Sequence, residues 1–368
     1  MKVSTDTSVF GGSADQVVVS IVEGGPGLVA VGRDGNDGAL NAAVWTSANG
    51  TDWTRVPDDD TVFGGPGSQA MFSVAAGDSG LVAVGYDASG GDADAAVWTS
   101  PDGLTWTRVP HDEATFGGDA DQDMLAVATG GPGFVAVGDD YSAGDSAGAV
   151  WTSPDGAAWT RVTTAAFGST EAQTIETVTA GGPGLVAVGY EFVETDWNGA
   201  VWTSADGATW KRAADPTSAL AGGNNEAILG VTATETGLIA VGYDDASGDW
   251  DTRVWTSDDG AEWTLLPADQ TVFGGPGDQQ VAKISSSGSG LVAVGRESAG
   301  NGADAVVWIS TDGIEWTRVA DSGATFGGPR SQRMFGVAST TYGTFAVGFT
   351  ETAAGDWDAA IWMLSPAG

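Results

Sequence analysis

The chain of 368 residues has no cysteine and carries 49 acidic against 13 basic residues, a formal net charge of −36. The missing thiols exclude disulfides, thiolate zinc sites and cysteine nucleophiles. A surface this acidic repels nucleic-acid phosphates and anionic lipid, and no apolar run reaches the roughly 18 residues that a spanning helix needs.

The opening MKVSTDTSVFGG is polar and shows no signal-peptide pattern. It aligns with TRVPDDDTVFGG further on, so Met1–Val3 stands where other copies have a fourth strand. The Phe of this turn recurs at Phe10, Phe63, Phe116, Phe167, Phe273 and Phe326, with Leu220 in the fifth copy. A glutamine comes next at Gln16, Gln69, Gln122, Gln173, Gln279 and Gln332, with Glu226 in the fifth copy. A Val-Trp-Thr-Ser type segment places Trp45, Trp98, Trp151, Trp202, Trp255, Trp308 and Trp362 at gaps of 53, 53, 51, 53, 53 and 54 residues. A fixed period of this length decides the architecture before any local reading does.

Each unit reads as four short strands, here given for the second copy. They are Gln69–Val74, Leu81–Val84 closed by Gly85, Ala95–Thr99 and Trp106–Val109. Short runs rich in Val, Trp and Thr, cut by Gly, Asp and Pro, are strand signals, and no stretch sustains a helical period. The second strand is apolar on both faces, so both should be buried. Ala, Val and Gly fill this strand, while Trp fills the third and fourth; that taper suits sheets converging on an axis. The predicted fold is all-β: one domain over residues 1–368, a seven-bladed β-propeller with four antiparallel strands per blade. The last blade ends after its third strand, and Met1–Val3 should close it.

Between the third and fourth strands sits a turn reading SPDGLTW at Ser100–Trp106 and SPDGAAW at Ser153–Trp159. It recurs as SADGATW, SDDGAEW and STDGIEW, with SANGTDW in the first copy. Asp-Gly or Asn-Gly between strands favours a tight hairpin, and the Ser and Asp side chains can bond the turn's own amides. The motif resembles the Asp-box, or BNR repeat, of sialidase-like β-propellers, in a variant one residue shorter between Asp and Gly. It covers six of the seven copies. The resemblance implies the propeller fold and a structural role for the box, away from any active face. Sialidases themselves resemble the chain less: their Arg-Ile-Pro segment is absent, and they generally have six blades, three arginines gripping a carboxylate and a Tyr–Glu nucleophile pair. Arg55, Arg108, Arg161, Arg212 and Arg318 are repeat positions, read as edge protection and packing against Trp. Arg33, Arg253, Arg296, Arg330 and Arg333 stand outside the framework. The wider family spans hydrolases and binding proteins, so membership does not fix function.

Hairpin connectivity puts the short uniform turns on one face and the longer, varied loops on the other, where binding belongs. On that face the residue after the second-strand Gly is Arg33, Tyr86, Asp139, Tyr190, Tyr243, Arg296 and Phe349. Such a mixed rim suits a sugar or peptide; the plainer alternative is that it covers the inner strands. Trp197, Trp250 and Trp357 lie in Asp-flanked loops, either stacking a sugar or tucking each loop onto its blade. The Gln ring, with Glu226, either lines the channel mouth or satisfies backbone groups. Asp58–Asp60 and the alternating Asp119, Asp121 and Asp123 are read as solvated acids; calcium is the alternative, without a complete EF-hand pattern. The only histidine, His111, is read as an exposed loop residue, so no catalytic triad is nominated. Abundant loop acids leave carboxylate-pair hydrolysis open.

The leading expectation is a non-catalytic recognition module, monomeric and extracellular or surface-associated. It would bind a glycan or protein ligand without a cofactor, at Arg33, Tyr86, Asp139, Tyr190, Tyr243, Arg296, Trp197, Trp250 and Trp357. The alternatives are a glycoside hydrolase or lyase of the same class, and a repeat-amplified scaffold with no specialised ligand. The acidity is expected either from a high-salt habitat or from a cation-binding surface.

Overall fold

Glycine-cut strands of alternating burial assemble around an axis in the computed structural model, which describes residues 1–3, 6–36, 39–167, 171–215, 219–299, 302–321 and 325–364. Six sheets have four strands in sequential antiparallel order, and the seventh has three. The seven-bladed β-propeller is therefore observed, with blades 1 to 7 beginning at Gln16, Gln69, Gln122, Gln173, Glu226, Gln279 and Gln332. In blade 2 the strands are Gln69–Gly77, Gly80–Asp87, Asp94–Ser100 and Thr107–Arg108. The first is longer than the sequence suggests because its hairpin runs on to the Gly77–Gly80 pair. The chain is not wholly strand: single helical turns at Thr7–Phe10 and Glu113–Phe116 lead into the turn Phe, capped by Asp6 and Asp112.

The third-strand Trp is the centre of every blade. All seven are fully buried, and each indole Nε1–H donates to the carbonyl just before the turn Phe or Leu. Trp98 reaches Val62 O at 2.7 Å, and Trp362 reaches Thr325 O at 3.0 Å. The bond ties the incoming loop to its own blade. The apolar clusters then form between blades: Val29, Val31 and Val44 of blade 1 pack with Met71, Leu81 and Trp98 of blade 2.

The outer hairpin is self-capped. Ser100 Oγ accepts from Gly103 N at 2.8 Å, and Asp102 Oδ1 accepts from Leu104 N and Thr105 N at 2.9 and 2.7 Å. Trp106 Nε1 donates to Gly103 O at 2.9 Å. Gly103 has φ 76°, which only glycine adopts cheaply.

The fourth-strand arginines do more than shield an edge. Arg55, Arg161 and Arg212 lie over Trp45, Trp151 and Trp202 at 5.4–5.6 Å, and each also pairs with an acid ending the second strand. The pairs are Arg55–Asp34, Arg108–Asp87, Arg161–Asp140, Arg212–Glu191 and Arg318–Glu297. Blade 5 has Leu265 at this position, and Arg253 takes over the pairing with Asp244. In blade 7, Lys2 donates to Thr350 Oγ1 at 2.9 Å.

Every first strand carries a β-bulge at the same place. A bulge leaves one residue unpaired and re-aims its side chain. The bulged residues are Val19, Phe72, Leu125, Glu176, Leu229, Ala282 and Phe335, and all seven line the central channel. The bulge brings the first strand onto the second-strand glycine, where a Cβ on Gly85 would clash with Ala70 O. That close approach explains the glycine in all seven copies.

Met1–Val3 lies beside the last blade as expected. Lys2 bridges to Trp362, Val3 N donates to Ile361 O at 2.8 Å, and Met363 N to Met1 O at 2.9 Å. Deleting residues 1–3 should therefore cost about 2–3 kcal/mol from these bonds. Thermal unfolding and hydrogen exchange at Met363 check this: a lower Tm and faster exchange are expected, whereas unchanged values would show that blade 7 stands without this segment.

Candidate functional site

The close-approach glycine and the bulge set the backbone at the channel rim. The residue after each glycine pairs with the first-strand residue two places ahead of the bulged one, so the two side chains share one face of each blade near the rim. These pairs are Arg33–Val17, Tyr86–Ala70, Asp139–Asp123, Tyr190–Thr174, Tyr243–Ala227, Arg296–Gln280 and Phe349–Arg333. Beneath them the channel holds a cavity of about 470 Å³, whose lining includes the bulged residues, Lys283, Arg296 and Arg333.

Charge is segregated around this rim. Arg296, Arg333 and Arg33 stand on the consecutive blades 6, 7 and 1. None has a carboxylate partner among the described residues, whereas the five framework arginines and Arg253 each have one. Arg296 Nε donates to Gln280 Oε1 at 3.0 Å. Arg333 Nε is buried and unbonded, and burial with Arg296 nearby pulls its pKa down.

Acids occupy the blades across the channel. Asp139 is 5% exposed, and its Oδ1 has no partner. Burial first, then the Glu176 charge, pushes it up to about 8 despite bonds from Ile175 N and Thr174. Its carboxyl therefore favours the protonated form well above the usual carboxylate range. Asp123, opposite it in register, is pushed up to about 6 by burial and Asp121.

Glu176 is the one charged residue of the bulge ring. Burial pushes it up, opposed by Lys283 and by a hydrogen bond with Tyr190. Tyr190 is itself pushed up by burial and by Glu176. Lys283 Nζ donates to Glu176 O at 3.3 Å and Leu229 O at 3.0 Å, tying the inner strands of blades 4, 5 and 6. Burial pulls its pKa down, with Glu176 opposing.

Trp197 and Trp357 stand at the starts of third strands and not in loops, Trp250 lies just ahead of one, and each covers the rim residue of its own blade. Trp197 meets Tyr190 edge-on at 5.1 Å, Trp250 stacks on Tyr243 at 4.9 Å, and Trp357 stacks on Phe349 at 4.4 Å. The pairs of blades 4 and 5 line a cavity of about 420 Å³ together with Tyr141, Asn225 and Glu226. Trp357 lies apart on blade 7, and Tyr86 packs on Phe72 at 5.5 Å. Sequence reasoning misses Asp123 as a rim residue, Glu176, Lys283 and Tyr141. Arg333 is legible there only as an arginine outside the repeat pattern.

The remaining candidates are placed elsewhere. Five of the six ring glutamines are buried, and Gln69 Nε2 bonds Pro66 O at 3.1 Å and Asp87 Oδ1 at 2.9 Å, so it holds both backbone and the framework acid. Asp58 pairs with Arg55, Asp59 caps its own turn at Thr61 N, and Asp121 accepts from Ala93 N at 2.8 Å. His111 is exposed, with Nε2 3.2 Å from Glu113 and 3.8 Å from Asp94. Among the described residues these three form the only His/Cys/Asp/Glu group close enough to share an ion.

No protein-family model and no curated protein matches the chain. Among solved structures, a proposed 6-phosphogluconolactonase from Bacteroides uniformis is similar over 96% of this chain and 98% of its own, with 12% identity and a TM-score of 0.52. A Trypanosoma rangeli sialidase in complex with sialic acid matches over 93% of this chain and 53% of its own, with 14% identity and a TM-score of 0.47. A Bombyx mori GH32 β-fructofuranosidase covers 64% of this chain and 58% of its own, with 12% identity and a TM-score of 0.40. The chain thus spans about half the length of the sialidase. Identities this low speak to the fold alone.

Asp139 yields a stability test. Its folded-state pKa of about 8 lies above the ordinary 3.8, so the native state binds this proton more tightly than the unfolded chain. Its contribution is full below about pH 4 and is lost as pH rises towards 8. Asp139→Asn cannot titrate. Its Tm relative to wild type should therefore rise by a few degrees between pH 4 and pH 8; a difference constant with pH would contradict the assignment.

Proposed function

We propose that the chain is a recognition scaffold of the shortened Asp-box type that holds an acidic glycan at the channel mouth. One observation carries this reading: three partly buried arginines have no carboxylate partner among the described residues, in a chain of 49 acidic residues. An unpaired guanidinium away from bulk water is costly, and carboxylates abound elsewhere on the surface. Arginine's planar fork suits a bidentate carboxylate. Trp357 and Tyr86 lie on the same arc or next to it, and their rings can pack against a sugar face, while Phe349 is buried beneath Trp357. The Ser-x-Asp-Gly-x-x-Trp turns sit on the opposite face and only hold the blades.

A glycoside hydrolase is the second reading, favoured by Asp139, which keeps its proton to about pH 8 and is near Glu176. A carboxyl group held protonated can act as the general acid of hydrolysis. Against it, burial and Glu176 both hold the Tyr190 phenol protonated and a poor nucleophile.

Calorimetry with uronic-acid- and sialic-acid-terminated oligosaccharides, beside neutral counterparts, tests the proposal. Acidic ligands should bind and remain intact, and Arg296→Ala or Arg333→Ala should weaken binding about tenfold each. Equal affinity for neutral sugars would overturn it. Release of the terminal sugar, lost in Asp139→Asn, would establish the hydrolase instead.

A further inference from the structure

We propose that the aromatic cavity on blades 3 to 5 is a separate site for a small organic cation, a quaternary ammonium or alkylammonium group. The cavity of about 420 Å³ has the size of a small-ligand site. Its walls are the edge-on pair Tyr190–Trp197 and the stacked pair Tyr243–Trp250, with Tyr141 between blades. Aromatic faces carry negative potential, and several converging rings attract a cation that sheds its water easily. Trp250 already does so: the Arg296 guanidinium lies over its ring at 5.9 Å.

The charges around the cavity agree with this. No Lys or Arg lines it. Glu226 does, buried to 5% exposure, where the six other copies carry Gln. The same blade has Leu265 where five others have Arg. The glutamate makes blade 5 more negative by one charge, while the arginine missing at Leu265 is offset by Arg253. Arg253 is engaged with Asp244, and Glu226 accepts only the Gly222 amide, at 2.6 Å, as a close partner among the described residues. Burial pushes its pKa up, so a bound cation would also keep it ionised.

The cavity is preorganised. Asn225 accepts from Trp197 N at 3.1 Å and donates to Asp245 at 2.7 Å, which fixes the blade 4 loop against blade 5. A neutral sugar would use the rings but gain nothing from Glu226. An acidic sugar would be repelled by it. Arg33 and Arg333 stand apart from this cavity and Arg296 meets it only through the Trp250 ring, so Glu226→Gln, which leaves all three arginines in place, tests this inference separately from acidic-glycan recognition.

Tryptophan fluorescence titration with choline tests it, beside 3,3-dimethylbutanol, the uncharged isostere of the same shape. Choline should bind at least about tenfold more tightly than the isostere. Trp250→Ala should abolish binding. Glu226→Gln, which restores the residue of the other copies and so should fold, should weaken choline severalfold while leaving the isostere unchanged. Equal binding of both compounds, no binding of choline, or an unaltered choline affinity in Glu226→Gln would each overturn the proposal.

Discussion

Seven buried indole N–H groups hold this ring in shape. Each third-strand Trp is sealed between two blades and spends its one donor on the carbonyl that precedes the turn Phe or Leu. That bond fixes where the connecting loop crosses its blade. In blades 2 to 4 the loop in turn presents the Gln that grips the second-strand acid, and the acid grips the fourth-strand Arg. Truncating such a Trp would combine a cavity of about 3–5 kcal/mol with an orphaned carbonyl. Little in the blade is independent of it, which is why the position is Trp in every copy.

The same framework explains why the rim is free to vary. A bulge and a close-approach glycine settle the backbone there, so most side chains after the glycine are free of core and hairpin duties; Phe349 and Asp139 are the buried exceptions. The chain uses that freedom unevenly. Cations gather on blades 6, 7 and 1, and acids with aromatic rings on blades 3 to 5. Six arginines elsewhere have found carboxylates, and a chain at −36 offers many more. Arginines with no carboxylate among the described residues of such a molecule are hard to account for by folding alone.

The blade is legible in the sequence because its constraints repeat. The 53-residue spacing, the Trp, the Asp-Gly turn and the alignment of Met1–Val3 with Thr54–Val56 suffice for the fold and its closure. The bulge is not legible, since a single inserted residue reverses the two-residue alternation. Glu176 therefore reads as an ordinary first-strand residue when it faces the channel. The Asp87–Arg108 pairing is hidden by 21 residues of separation; its one trace is the fifth copy, where Leu265 coincides with the arrival of Arg253. Tyr190, Tyr243, Trp197 and Trp250 can each be named from the loops. That the pairs of two blades close over one cavity depends on how neighbouring blades approach, and spacing along the chain carries no such information.

The anion-binding arc is the claim on which the functional reading rests, and bromide reports it most directly. Crystals soaked in bromide should show an anomalous peak in contact with Arg33, Arg296 or Arg333 at the channel mouth, despite the acidic surface around it. Bromide absent from that arc, or bound only where arginines already hold carboxylates, would contradict it.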